Sequence, residues 1–175
     1  MRVLFLSFYY QPDLSAGSFR SSSLAKALLR AVPEKMQLDV VTTLPNRYGS
    51  FSTVAEEFEA NSGVNVYRID VSTGQSGILG ETIAFYTYVR GTLRLIAGKD
   101  YDIIYATSSR LMTGIFGAYL SNKMTKPFYL DIRDIFVDTL KDVLPRHLGR
   151  VVTPMFSLLE KYAVNSAGKV NLVSA

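Results

Sequence analysis

The chain has 175 residues, 48% of them apolar and 19% charged, with no cysteine and a net charge of +4. That length predicts one domain with a sizeable core, and the apolar share excludes a disordered chain. The lack of cysteine excludes a disulfide scaffold and a thiolate metal site and predicts a cytoplasmic setting, and the small positive charge fits phosphate-bearing ligands or an anionic membrane surface without pointing to nucleic acid.

Residues 1–7 lack the long apolar stretch and small-residue cleavage site of a secretory signal. Residues 3–8 read instead as a strand, a continuous apolar run of the kind covered on both faces in a parallel sheet. A loop over 9–18 contains Pro12 and Gly17, and Leu24, Ala27, Leu28 and Ala31 then recur at helical spacing up to Pro33. Runs at 38–44 and 64–71 predict two more strands, with a polar stretch over 45–62 that has room for a short helix. The stretch 72–80 carries three glycines and is expected to be a mobile surface connection.

The next helix places Phe85, Val89, Leu93 and Ile96 on one face and Thr87, Arg90, Gly91 and Arg94 on the other. Arg90 and Arg94 also interrupt the most apolar stretch, so no run reaches the ~18 residues of a spanning helix. A strand at 101–106 precedes a helix marked by Met112, Ile115, Phe116 and Tyr119, in which Gly114 and Gly117 permit close approach to the sheet. Residues 128–132 predict a fifth strand. A further helix is expected to begin at Thr153-Pro154, a capping residue before a proline, and to bury Met155, Leu158, Leu159 and Tyr162. A last strand covers 169–174. This alternation predicts an α/β fold of the Rossmann-like, doubly wound kind, a mainly parallel sheet with helices on both faces. Ligands in such folds bind at the carboxyl ends of the strands.

Three segments there carry polar chemistry. In Gln11-Pro12-Asp13-Leu14-Ser15-Ala16-Gly17-Ser18-Phe19-Arg20, a glycine opens a helix whose free N–H groups favour phosphate, and Ser18 and Arg20 add a hydroxyl and a charge. An ordinary capped loop is the alternative, because neither a three-glycine dinucleotide fingerprint nor a P-loop is present. In Leu130-Asp131-Ile132-Arg133-Asp134-Ile135-Phe136-Val137-Asp138 a buried strand runs into a dense charge cluster, and Asp131 and Asp134 are candidate site carboxylates. An ion pair of Arg133 with an aspartate is the structural alternative. The hydroxyls of Ala106-Thr107-Ser108-Ser109-Arg110 cap a helix or contact a sugar, and His147, the sole histidine, reads as a surface loop residue. Arg90 and Arg94 beside Tyr86 and Tyr88 give one helix a basic, aromatic side that suits either a membrane interface or solvent.

Taken in order, these segments resemble the N-terminal, acceptor-side domain of GT-B glycosyltransferases, in particular the retaining family four of bacterial capsule and O-antigen synthesis. The resemblance spans 1–175 and rests on Val3-Leu4-Phe5-Leu6-Ser7-Phe8-Tyr9-Tyr10-Gln11-Pro12, Gly17-Ser18-Phe19-Arg20, Val40-Val41-Thr42-Thr43-Leu44-Pro45-Asn46, Tyr101-Asp102-Ile103-Ile104-Tyr105-Ala106-Thr107-Ser108 and Lys126-Pro127-Phe128-Tyr129-Leu130-Asp131-Ile132-Arg133-Asp134. It implies transfer of a hexosyl group from a UDP- or GDP-sugar to a saccharide or lipid-diphosphate-linked acceptor, with no metal and no permanently bound cofactor, at the inner face of the cell membrane. It gives Gly17, with Ser18 and Arg20, the donor diphosphate, and gives Asp131, Arg133 and Asp134 the catalytic end of the fifth strand. Many members carry a His-Asp pair there; Arg133-Asp134 stands in its place, which leaves Asp131 or Asp134 to orient or deprotonate the acceptor hydroxyl. The resemblance further implies that the nucleotide-sugar domain is absent from this chain, and that the 175 residues alone are inactive. A non-catalytic ligand- or membrane-binding domain is the alternative, and a nucleotide-cofactor oxidoreductase is disfavoured by the missing glycine fingerprint.

Overall fold

β-Branched and aliphatic residues dominate the first strand, β1 (Arg2–Leu6), and four of its five residues are buried. The computed structural model describes residues 1–32, 36–45, 55–71, 77–108, 111–132 and 146–172. The chain divides into two units, Met1–Asp102 and Ile103–Ala175. The first continues with α1 (Ala16–Ala31), β2 (Gln37–Thr43), β3 (Phe58–Asn61), β4 (Val64–Ile69) and α2 (Gly77–Ile96). The second holds β5 (Ile103–Ser108), α3 (Leu111–Met124), β6 (Phe128–Ile132), α4 (Arg146–Ser166) and β7 (Lys169–Leu172).

In the first unit β1 pairs with β2 and β2 with β4, all parallel. β3 lies antiparallel on β4. Ser62 (φ 38°) and Gly63 (φ 90°) make the two-residue turn between them, both with the positive φ that matches strand twist. Where the sequence allowed a short helix in 45–62, the described part thus ends in a strand; residues 46–54 lie outside the described residues. In the second unit β6 pairs in parallel with β5 and with β7.

Alternation along β4 places the two helices on opposite faces. Val64, Val66 and Arg68 line a groove with Lys26 and Leu29 of α1. Ile69 faces α2, where a Cβ added to Gly91 would stand 2.8 Å from Ile69 Cδ1. The expected Rossmann-like α/β fold, mainly parallel with helices on both faces, is the observed one.

The helix faces depart from the sequence reading. In α1 the buried residues are Gly17, Ser18, Ser21, Ser22 and Ala25, not the line Leu24, Ala27, Leu28, Ala31. Small side chains bring the helix onto the chain just past β1, where Ser21 Oγ lies 2.9 Å from Ser7 Oγ. In α2, Tyr88 and Thr92 are buried and Gly91 meets β4, although Gly91 was expected on the polar face. Tyr88 reaches inward because its hydroxyl donates to Val41 O at 2.9 Å. Residues 77–80, expected in a mobile loop, form the first turn of α2.

Close approach of α3 is as expected: a Cβ on Gly117 would fall 2.8 Å from both Ala106 Cβ and Phe128 Cε2. Phe116 is buried as expected, whereas Met112 and Tyr119 are exposed, and Leu111 and Leu120 are buried beside the glycines. Helix α4 begins at Arg146, so Pro154 is inside it and not at its first position. Met155, Leu158 and Tyr162 are exposed and Leu159 is half-buried, while Ala163, a small side chain, is buried. Tyr162 instead accepts a hydrogen bond from Asn122 Nδ2 of α3 at 2.9 Å. His147 lies in α4 and not in a loop.

Candidate functional site

The turn from β1 into α1 is built from hydroxyls. Ser7, just past β1, donates its amide to Val41 O at 3.2 Å and its hydroxyl to Tyr9 O at 2.7 Å. Ser21 Oγ lies 2.9 Å from Ser7 Oγ and 2.8 Å from Gly17 O. Each serine has a single hydroxyl proton; that of Ser7 goes to Tyr9, so that of Ser21 is shared between Gly17 O and Ser7 Oγ. The Gly17 carbonyl is thereby tied to the end of β1. Thr43 Oγ1 donates to Phe8 O at 2.8 Å, and the Phe8 ring sits edge-on to Tyr88 at 5.3 Å, which anchors the start of the loop. The Gln11–Pro12 peptide within it is cis.

Ser15 caps α1. Its backbone is extended (φ −133°, ψ 150°), its side chain accepts from Ser18 N at 3.1 Å, and its carbonyl accepts from Phe19 N at 3.1 Å. The amides of Ala16 and Gly17 have no acceptor among the described residues, as the opening of a helix requires. Ser18 Oγ, fully buried, also has no hydrogen-bond partner among them. The first turn has no acidic residue. Two N–H groups thus open the positive end of a 16-residue helix, with the Ser18 hydroxyl buried in its first turn and the Asp13 side chain buried two residues before the cap. Arg20 is half-buried one turn further on.

In the second unit a polar rung crosses three strands: Thr107 on β5, Asp131 on β6 and Asn171 on β7 are register partners. Asp131 is fully buried, and Asn171 Nδ2 donates to its Oδ1 at 2.6 Å. Thr107 Oγ1, also buried, has no hydrogen-bond partner among the described residues. Arg133 and Asp134 lie outside the described residues, as do Ser109 and Arg110, so the expected convergence of Gly17 and Asp134 falls outside them too.

Sequence reasoning missed three contributors: Ser15 as the cap, the Ser7 and Ser21 hydroxyls, and Asn171 as the partner of Asp131. Ser15 was legible, since serine is among the residues that favour the N-cap position. Asn171 was visible only as a polar break in an apolar strand.

No family model and no curated protein matches the sequence. Solved structures do. Sucrose-phosphate synthase from Thermosynechococcus elongatus aligns at TM-score 0.67 and 12% identity over 97% of this chain and 41% of its own. A UGT transferase from Siraitia grosvenorii, solved with UDP, aligns at TM-score 0.53 and 13% identity over 98% and 44%. A UGT of Phytolacca americana, complexed with UDP-2-fluoro-glucose and pterostilbene, aligns at TM-score 0.51 and 9% identity over 99% and 47%. The shared property is the fold. It is the Rossmann-like fold of GT-B glycosyltransferases, and this chain spans less than half the length of these three.

Proposed function

We propose that this chain is the acceptor-side half of a retaining GT-B glycosyltransferase of family four, moving a hexosyl group from a UDP- or GDP-sugar to a saccharide or lipid-diphosphate-linked acceptor in cell-surface polysaccharide synthesis. The observation that carries the reading is the α1 amino terminus, where Ala16 N, Gly17 N and the buried Ser18 Oγ are left without partners among the described residues, in a fold shared with UDP-binding transferases. Transfer breaks the bond from the anomeric carbon to the diphosphate oxygen and forms one to the acceptor oxygen, which gives up its proton. Negative charge then grows on the leaving diphosphate, and donors already aimed at it stabilise that charge without reorganising. Ala16, Gly17 and Ser18 supply those donors, and Arg20 adds positive charge nearby.

At the other end of the reaction, the total burial of Asp131 and its bond to Asn171 suit a positioning role. That leaves Asp134, with Arg133 beside it, to orient or deprotonate the acceptor hydroxyl. Binding of most of the nucleotide-sugar belongs to a further domain, in keeping with the share of the neighbours' length that this chain covers. The 175 residues alone are then inactive.

The test is turnover of UDP- and GDP-sugars by this chain together with its nucleotide-sugar domain. Gly17→Val is expected to lower kcat/KM about 100-fold by displacing the first turn, and Asp134→Asn to lower kcat without unfolding. No turnover with any donor, or wild-type rates from both variants, refutes the reading. A second feature, the exposed face of α2, favours an anionic membrane as the surface on which a lipid-linked acceptor is met: Leu79, Ile83 and Tyr86 are exposed in line with Arg90 and Arg94.

A further inference from the structure

A cavity of about 780 Å³ in the first unit lies between the second half of α1, the β3–β4 hairpin and residues 10–12. We propose that it is a binding groove for a neutral oligosaccharide. Its floor is the face of β4 that carries Val64, Val66 and Arg68, extended by Glu59 and Asn61 of β3, their direct antiparallel neighbours. Leu29 and Lys26 of α1 form one wall, and Tyr10, Gln11 and Pro12 close one end. The volume falls within the about 300–1,000 Å³ of small-molecule sites.

The lining selects the ligand class. Lys26 and Arg68 are offset by Glu56 and Glu59, so the groove has no net charge to attract a phosphate or an amine. It offers instead apolar strips from Val64, Val66 and Leu29 beside planar donors and acceptors from Gln11, Asn61 and the carboxylates. A pyranose has this same pairing, an apolar face of C–H groups bordered by hydroxyls that both donate and accept.

Arg68 braces the groove by tying its lining segments together. Its guanidinium is fixed by three contacts, Nη1 to Glu56 O at 3.0 Å, Nη2 to Gln11 O at 2.9 Å and Nη2 to Glu59 Oε2 at 2.9 Å. The residue is more than nine-tenths buried, yet its Nε–H has no acceptor among the described residues. Tyr10 adds a protonated hydroxyl at neutral pH, since burial raises its pKa above the usual tyrosine value.

Binding here is separate from the transfer reaction, and its test needs no donor sugar. The chain is titrated with maltotriose, cellotriose and N,N′,N″-triacetylchitotriose while backbone amide resonances are followed. At least one of the three is expected to shift the amides of 26–29 and 61–68 saturably. Lys26→Ala and Glu56→Ala, both at exposed positions, are expected to weaken that binding about tenfold each while leaving the circular dichroism spectrum unchanged. No saturable shift of those amides with any of the three sugars, or binding by the folded variants equal to wild type, overturns the proposal. Failure of either this titration or the turnover assay leaves the other standing.

Discussion

Asp39 collects four donors at the amino-terminal end of the first unit's strands: Arg2 Nε at 3.1 Å and Nη2 at 2.7 Å, Asn65 Nδ2 at 2.8 Å and Tyr101 Oη at 3.0 Å. The carboxylate is fully buried, so its charge is tolerable only because those donors replace water. Asp39→Ala leaves the Arg2 guanidinium and two polar side chains without their acceptor. We expect a loss of about 1–3 kcal/mol, the usual cost of leaving buried donors unsatisfied, read as a lowered midpoint in urea unfolding. A midpoint within error of wild type would show that water replaces the carboxylate. Asp39 was invisible as a site because it sits in an otherwise apolar run, and sequence pattern does not say which distant donors reach it. Asp131 was singled out from sequence because a buried strand runs there into a dense cluster of charge, and its partner Asn171 came only with the strand pairing.

Element by element, the strands were easier to read than the helix faces. The predicted strand 128–132 coincides with β6, and the other predicted strands overlap observed ones with ends displaced by a few residues, because continuous apolar runs mark buried parallel strands whatever their neighbours. Helix faces were misread wherever close packing replaced large apolar side chains with small ones, as with Gly17, Ser21 and Ala25 in α1 and Gly91 in α2. The β3–β4 hairpin was missed although Ser62-Gly63 is a legible turn, since β3 itself is polar and fully exposed. The outer side of α2 matches the sequence reading in part, since Tyr88, expected beside the arginines with Tyr86, is fully buried. Arg90 lies over the exposed Tyr86 ring at 5.8 Å, and the apolar Leu79 and Ile83 precede it on the same stripe. If this helix meets anionic lipid, each arginine contributes about 1 kcal/mol near the surface. Arg90→Glu combined with Arg94→Glu is then expected to cut co-sedimentation with phosphatidylserine vesicles at low salt by about tenfold or more. Unchanged binding would remove α2 from any membrane contact.

At the scale of the whole molecule, stability should carry an alkaline limit. Burial raises the pKa of Tyr88, and burial together with the Asp39 charge raises that of Tyr101, above the ordinary value of 10.0. A tyrosine that keeps its proton in the folded state but loses it when unfolded contributes stability that is complete below pH 10.0 and declines above it. Each such group gives a slope of up to about 1.4 kcal/mol per pH unit. Urea midpoints should be flat with respect to these groups below pH 10.0 and fall above it, and Tyr101→Phe should make that fall shallower; an unchanged slope in the variant would show that Tyr101 titrates normally. By itself the sequence determined the α/β class and the order of most elements, because those follow from local periodicity. Tertiary structure alone decided which polar groups are left without partners, which residues face inward and where a groove opens beside Arg68, because burial and hydrogen-bond satisfaction depend on segments far apart in the chain.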